Sequence, residues 1–131
     1  MQKLTIEVNG DARSKKNSQT AFTMKNGRSM IIPSKAYKKW HRAATKQLKG
    51  AGLVYTGGYP AVMWFYHYRS TNRTFDFSNA QEGIQDLFQE LGIIAEDNNL
   101  HIIPRTKGRG WEKDKENPRV LITIEKYIEE I

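Results

Sequence analysis

Apolar and polar residues alternate at the beginning of the chain, over residues 4–8 (LTIEV), with the period of a half-buried β-strand. The turn-forming pair Asn9-Gly10 follows directly and ends this strand. Residues 21–25 and 28–32 flank Asn26-Gly27, a dipeptide that strongly favours a two-residue hairpin turn. The first quarter of the chain therefore predicts a strand followed by a β-hairpin.

Two later segments place apolar residues every three or four positions, which predicts amphipathic helices. The first helix begins after Pro33-Ser34, because proline stops a strand and serine can cap a helix, and it extends to about Lys49. The second helix is predicted over residues 77–91, with Gly92 as its carboxyl-terminal cap residue. Each helix has one apolar side that predicts contact with a sheet.

The remaining strands are predicted over residues 61–68, 100–103 and 120–125. The first of these is apolar on both faces, which favours a central position in the sheet. Trp64 and Tyr66 are most simply interpreted as core residues, and His67, which shares a face with Met63 and Phe65, as a packed side chain. Residues 106–118 are rich in glycine and charge and are predicted to form a long, mobile loop. The order of elements predicts a single α+β domain in which two main helices pack on a mixed β-sheet.

Charge is distributed unevenly along the 131 residues, whose formal net charge is +7. Residues 76–100 carry six acidic side chains and no Lys or Arg, whereas residues 1–50 carry 12 Lys or Arg and two acids. A basic balance favours a polyanionic partner such as nucleic acid. Cysteine is absent, which excludes disulfides and thiolate metal sites. No signal peptide or membrane-spanning stretch is apparent, so a cytoplasmic protein is expected.

The second predicted helix has a column of oxygen-bearing side chains. Ser78, Glu82 and Asp86 recur at every fourth residue, and Asp76 precedes the first turn. Like charges four residues apart repel by a few tenths of a kcal/mol, a cost that a bound cation would remove. Two interpretations stay open for these residues alone: a metal site, or a solvated acidic face with Asp76 as a helix cap.

A second acidic pair, Glu96-Asp97, follows the helix just before the next predicted strand. If the chain turns back after Gly92, Asp97 can approach Asp76. Two or three carboxylates, together with waters and phosphate oxygens, form a natural coordination set for Mg²⁺. The alternative interpretation is a hydrophilic turn, in which Asp and Asn are common.

The spacing of these residues resembles the RusA family of Holliday junction resolvases. The acidic motif of that family is matched in order by Asp76, Ser78-Asn79, Asp86-Leu87, Gly92 and Glu96-Asp97. Weaker similarities extend over most of the chain, at residues 15–18 (KKNS), residues 33–37 (PSKAY) and residues 106–108 (TKG). The second of these is similar to phage-type members.

The resemblance implies a homodimeric endonuclease that needs Mg²⁺, with Mn²⁺ as a substitute, and that cuts four-way DNA junctions by paired nicks. It assigns Asp76 and Asp97 as metal ligands. Two positions depart from the family motif: Ser78 replaces an Asp, and Glu82 replaces a Lys one turn later. Glu82 can supply the missing carboxylate, with Asp86 assisting, and Lys107 is the candidate for the lost positive charge.

The DNA-contact candidates are basic or polar residues placed before and after the acidic segment at residues 76–100: Arg13, Lys15, Lys16, Asn17, Arg69, Arg73, Lys107 and Arg109. Trp111 is equally consistent with anchoring a loop and with stacking on a distorted base. The departures at Ser78 and Glu82 keep an alternative open, a non-catalytic basic DNA-binding protein with the same fold.

Overall fold

A computed structural model of the protein describes residues 3–13, 19–23, 27, 29–33, 35–95 and 101–129. These residues form one small α+β domain, as the sequence predicts. The elements in chain order are β1 (Lys3–Asn9), β2 (Gln19–Thr23), β3 (Ser29–Pro33), α1 (Lys35–Leu48), β4 (Ala61–Arg69), α2 (Phe77–Glu90), β5 (Ile102–Lys113) and β6 (Arg119–Lys126).

Four of the strands form one mixed sheet in the order β1-β6-β4-β5. β4 pairs antiparallel with β6 and parallel with β5, so its predicted central position is confirmed. α2 makes the connection between the parallel strands β4 and β5, which is the usual way to join such a pair. β2 and β3 form a separate antiparallel hairpin, as predicted, but its register pairs Phe22 with Met30, whereas the predicted two-residue turn at Asn26-Gly27 would pair Thr23 with Met30. Asn26 itself lies outside the described residues.

One face of the sheet is covered by both helices. Register aligns apolar residues in rows across the strands, for example Leu4, Ile124 and Met63, which are all buried. The apolar sides of α1 and α2 belong to the same core; they contribute Tyr37, Trp40, Ala44, Leu48, Ala80, Ile84, Leu87 and Phe88. The periodicity of the two helices therefore identified their buried sides correctly.

The opposite, open face of the sheet is only half-buried. Trp64, Tyr66 and Tyr68 alternate with the core residues of β4 and are partly exposed. Because successive side chains of a strand point to opposite faces of the sheet, all three point away from the covered face. The sequence interpretation of Trp64 and Tyr66 as core residues is therefore wrong, and their apolar character belongs to a partly exposed aromatic surface.

The predicted mobile loop at residues 106–118 is also wrong. β5 extends through most of it, to Lys113, and only residues 114–118 form the connection to β6. The pairing of β5 with β4 shifts between Phe65 and His67, so residues 107–110 bulge out of register. β5 is an edge strand with exposed residues on both sides, so its sequence lacks the alternation that identifies a strand.

Local chemistry fixes both ends of α2. The Asp76 side chain caps the first turn, and Gly92 adopts a positive φ of 72° just past the last turn. No helix in the described ranges is long and apolar enough to cross a membrane.

Candidate functional site

The start of α2 carries the first predicted site residue, Asp76. Its Oδ1 accepts a hydrogen bond from the backbone N–H of Asn79 at 3.1 Å. Its Oδ2 accepts a second hydrogen bond from Asn79 Nδ2 at 2.9 Å. Asp76 is exposed, so its carboxylate is held in place by its own helix and still faces solvent.

Arginines gather immediately before this helix, where β4 ends. The Arg69 guanidinium lies 4.1 Å from the centre of the Phe75 ring, and its Nη1 donates to the carbonyl oxygen of Arg73 at 2.5 Å. Burial lowers the pKa of Arg69; nearby Arg13 lowers it further, and Asp11 opposes the shift. Asp11 bonds to Ser70, the neighbour of Arg69, and Arg13 follows two residues later in the same loop.

Asp11 connects the loop after β1 to the end of β4. Its carboxylate accepts hydrogen bonds from both the backbone N–H of Ser70, at 3.0 Å, and the Ser70 hydroxyl. This contact joins segments 59 residues apart in the chain. It positions the loop that carries Arg13 beside the end of β4, so Asp11 is a site residue that the sequence did not reveal.

The same loop passes directly over α2. A Cβ atom placed on Gly83 would lie 3.4 Å from the Arg13 carbonyl oxygen and 3.7 Å from the Tyr37 ring. Gly83 is buried and Glu82 beside it is exposed. The beginning of the loop after β1 is therefore in contact with α2, the acidic helix. The predicted DNA contacts Lys15, Lys16 and Asn17 lie outside the described residues.

The acidic side of α2 divides into two parts. Ser78 and Glu82 are exposed, while Asp86 is half-buried. Glu90 Oε2 lies 3.2 Å from His41 Nε2 of α1, and burial, the charge of Glu90 and the charge of Asp86 raise the pKa of Tyr37 on the same helix. The first part of the acidic side thus faces solvent, and the second part faces the neighbouring helix.

A complete metal site is not formed by the described residues alone. Among them, no three acidic or histidine side chains are close enough together to hold a cation. Glu96 and Asp97 lie outside the described residues. Ala95 and His101, on either side of residues 96–100, both bond to the chain at the start of β4. The Ala95 N–H donates to the Tyr59 hydroxyl at 2.8 Å, and the His101 carbonyl accepts from the Ala61 N–H at 2.7 Å. The site of Asp76, Glu82, Asp86 and Asp97 stays a prediction.

The remaining basic candidates lie on or near β5. Lys107 lines a hollow on the open face of the sheet together with Lys3 and Trp64. Arg109 lies 5.2 Å from the centre of the Trp111 ring, within cation–π distance, and Trp111 is half-buried. Lys107 therefore belongs to the face of the sheet opposite the helices, whereas Asp76 begins one of those helices.

His67 supports the segment that leads to Asp76. It is 2% exposed, which confirms the prediction that it is packed, and its ring lies 5.0 Å from Phe75 and 5.4 Å from Phe77. Within the described part of the chain its Nε2 has no hydrogen-bond partner. Burial is the main reason that the pKa of His67 is lowered to about 4. The charge of Arg69 also lowers this pKa, and the charge of Asp11 raises it. At neutral pH the imidazole is therefore uncharged.

No protein-family model and no curated protein sequence matches this chain. The resemblance to the RusA family therefore rests on the motif residues themselves.

Proposed function

We propose that the protein is a Mg²⁺-dependent, structure-selective endodeoxyribonuclease of the RusA type that acts in the cytoplasm. The observation that carries the proposal is the closeness of the arginines to the acidic helix. Arg69 ends β4, Arg73 lies between it and Asp76, and the Arg13 carbonyl lies against Gly83 of α2. Guanidinium groups bind phosphate, and carboxylates bind the cation that hydrolysis of a phosphodiester requires.

The carboxylate of Asp76 has the chemistry of a ligand for a hard cation. Each of its oxygens accepts one hydrogen bond from Asn79 and keeps further lone pairs on the solvent side. In the proposal Glu82 and Asp97 complete the set, with Asp86 assisting. A Mg²⁺ ion held there would lower the pKa of a bound water and offset the charge of the scissile phosphate.

Paired nicks at a four-way junction require two such sites, and a two-fold homodimer supplies them. The arginines would hold the phosphates on each side of the cut. These arginine–phosphate contacts would not recognise the DNA sequence, because phosphate contacts position a protein without reading bases. Selectivity would therefore come from the shape of the branched DNA.

Cleavage of a labelled four-way junction tests the proposal, with Mg²⁺, Mn²⁺ or EDTA and with linear duplex as a second substrate. The variants are Asp76→Asn, which retains a capping side chain but loses the charge, and Asp97→Ala. Both should abolish cutting and leave junction binding intact. Glu90→Gln is the matched control, since it removes a carboxylate from the far end of the same helix.

Normal cutting by Asp76→Asn or by Asp97→Ala would show that the site has been assigned to the wrong residues. Cutting that persists in EDTA would overturn the metal dependence.

The second candidate function is a non-catalytic DNA-binding protein with this fold. It is favoured by the departures at Ser78 and Glu82. This candidate predicts strongly salt-dependent junction binding without nicks under any metal. The same cleavage assay therefore decides between the two.

A further inference from the structure

Trp64 is the centre of a second surface, on the open face of the sheet. The indole is partly exposed, and its Nε1 donates to Glu125 Oε1 at 3.0 Å. This bond joins β4 to β6 and holds the ring in one orientation. Across the strands, Thr123 and Arg105 lie beside it in register. A pre-oriented, half-exposed aromatic ring is suited to stacking.

Hollows lie on two sides of this indole. One has a volume of about 480 Å³ and is lined by Arg105 and Lys126, and the other has a volume of about 320 Å³ and is lined by Lys3 and Lys107. Trp64 and Glu125 line both hollows. Volumes of this size lie within the range of roughly 300–1,000 Å³ that bound ligands occupy.

The charge of this surface is strongly positive. Four cationic side chains line the two hollows, against the single carboxylate of Glu125. Lys3 lies 3.9 Å from Glu125, and the indole N–H bonds to the same carboxylate. Glu125 is therefore engaged by the protein itself, and the other three cations are available to a polyanion.

We propose that this Trp64 surface binds single-stranded nucleic acid. It consists of Lys3, Trp64, Arg105, Lys107, Glu125 and Lys126. An unpaired base stacks on the indole, and the cations on each side contact the neighbouring phosphates. The inference rests on the proposed function in one respect, that the ligand is nucleic acid. It adds a separate surface, on the face of the sheet opposite the two helices.

The charge pattern argues against a second copy of the chain as the occupant. In a two-fold dimer the same patch faces itself, so the cations of one Trp64 surface would meet those of the other. Stacking also argues against an intact duplex, whose bases expose no free π-face along its length. A single strand satisfies both requirements.

Binding of a labelled oligothymidylate of about 16 nucleotides, measured by fluorescence anisotropy in EDTA, tests the inference. Trp64→Leu should weaken binding about 5- to 160-fold, the range expected for the loss of one stacked base. The double variant Arg105→Ala/Lys107→Ala should reduce the slope of log K against log salt by about 1.4, or about 0.7 for each phosphate contact. The matched control is Lys49→Ala/Lys115→Ala, which removes two exposed lysines elsewhere.

Unchanged affinity in Trp64→Leu, or an unchanged salt slope in the double variant, would overturn the inference. So would a shift of Trp64→Leu from dimer to monomer in sedimentation without a change in oligothymidylate binding, because a second copy would then occupy the surface. If the wild type binds four-way junctions but not single strands, only this inference fails. If it binds neither, the proposed function fails with it.

Discussion

Asp76 has a structural role that must be separated from its proposed role as a ligand. As the cap of α2 it accepts a hydrogen bond from the backbone N–H of Asn79. Asp76→Ala should therefore lower the free energy of unfolding by about 1 kcal/mol, whereas Asp76→Asn should change it by a few tenths. Urea denaturation of both variants measures the difference.

Equal losses of stability in the two Asp76 variants would show that the cap contributes nothing specific. With the expected result, loss of cutting in Asp76→Asn can be attributed to the charge, because the helix start is preserved. This comparison makes the asparagine variant the informative one for the cleavage assay.

His67 should make the protein sensitive to acid. Its pKa in the folded state is about 4, below the ordinary value of 6.5, so between these values the unfolded state binds more protons. The contribution of uncharged His67 to the free energy of unfolding is fully present above pH 6.5 and is lost as the pH decreases toward 4. The loss attributable to this group is at most about 3 kcal/mol. Denaturation midpoints across this pH range measure it.

His67→Leu provides the comparison, since leucine fills a similar volume and does not titrate. The variant should lose less stability than the wild type between pH 6.5 and pH 4. An identical pH dependence in the two proteins would mean that His67 does not govern the response.

Local residue chemistry could be predicted from the sequence, but contacts between distant segments could not. Asp76 as a cap follows from a preferred capping residue placed just before an amphipathic segment. The bonds from Ser70 to Asp11 join two polar residues with no periodic signal, and only the folded sheet brings them together. Arg69 and Arg73 directly precede Asp76 in the sequence, so only the approach of Arg13 depends on that contact and was equally invisible.

At the scale of elements, the helices were predictable because each buries one side, whereas β5 was not. Its residues 104–109 are exposed, so the strand is marked by pairing with β4 and not by an apolar pattern. Pro104 and the bulge at residues 107–110 also resemble a loop in sequence. Both features suit an edge strand, because they hinder pairing with another chain.

Gly110 should be essential to the bulge in β5. It has a φ of +89°, and a Cβ there would collide with the methyl group of Thr106. Gly110→Ala should lower the free energy of unfolding by about 2 kcal/mol or more, because backbone strain and a clash add together. Gly108→Ala is the matched control: its φ is +56° with open space around it, and it should cost about 1 kcal/mol.

Equal losses in the two glycine variants, measured by urea denaturation, would contradict the role assigned to the Thr106 contact. Thr106 also accepts a hydrogen bond from Gln81 Nε2 at 3.0 Å, so the bulge is tied to α2.

At the scale of the whole molecule, the covered and open faces of one sheet carry different chemistry. The helices on the covered face bring an acidic column to the surface beside arginines, while the open face presents an aromatic ring between cations. The two proposals therefore use surfaces that substitutions can separate. Cutting should depend on the first surface, and single-strand binding on the second.

The basic charge of the molecule should appear as a steep salt dependence of junction binding. Each phosphate contact contributes about 0.9 to the slope of log K against log salt for duplex DNA. Arg73 is exposed in the connection between β4 and α2, three residues before Asp76. Arg73→Ala should therefore reduce the slope by about 1 for four-way junction and linear duplex alike. Titrations at several salt concentrations measure it.

The control is Lys115→Ala, which removes an exposed lysine from the connection between β5 and β6 and should leave the slope unchanged. An equal effect of the two variants would mean that net charge alone governs binding, without a defined phosphate path. An effect of Arg73 confined to the junction would instead mean that the arginines recognise the branch point itself. Only a reduction shared by both substrates agrees with arginines that position the backbone for the neighbouring carboxylates.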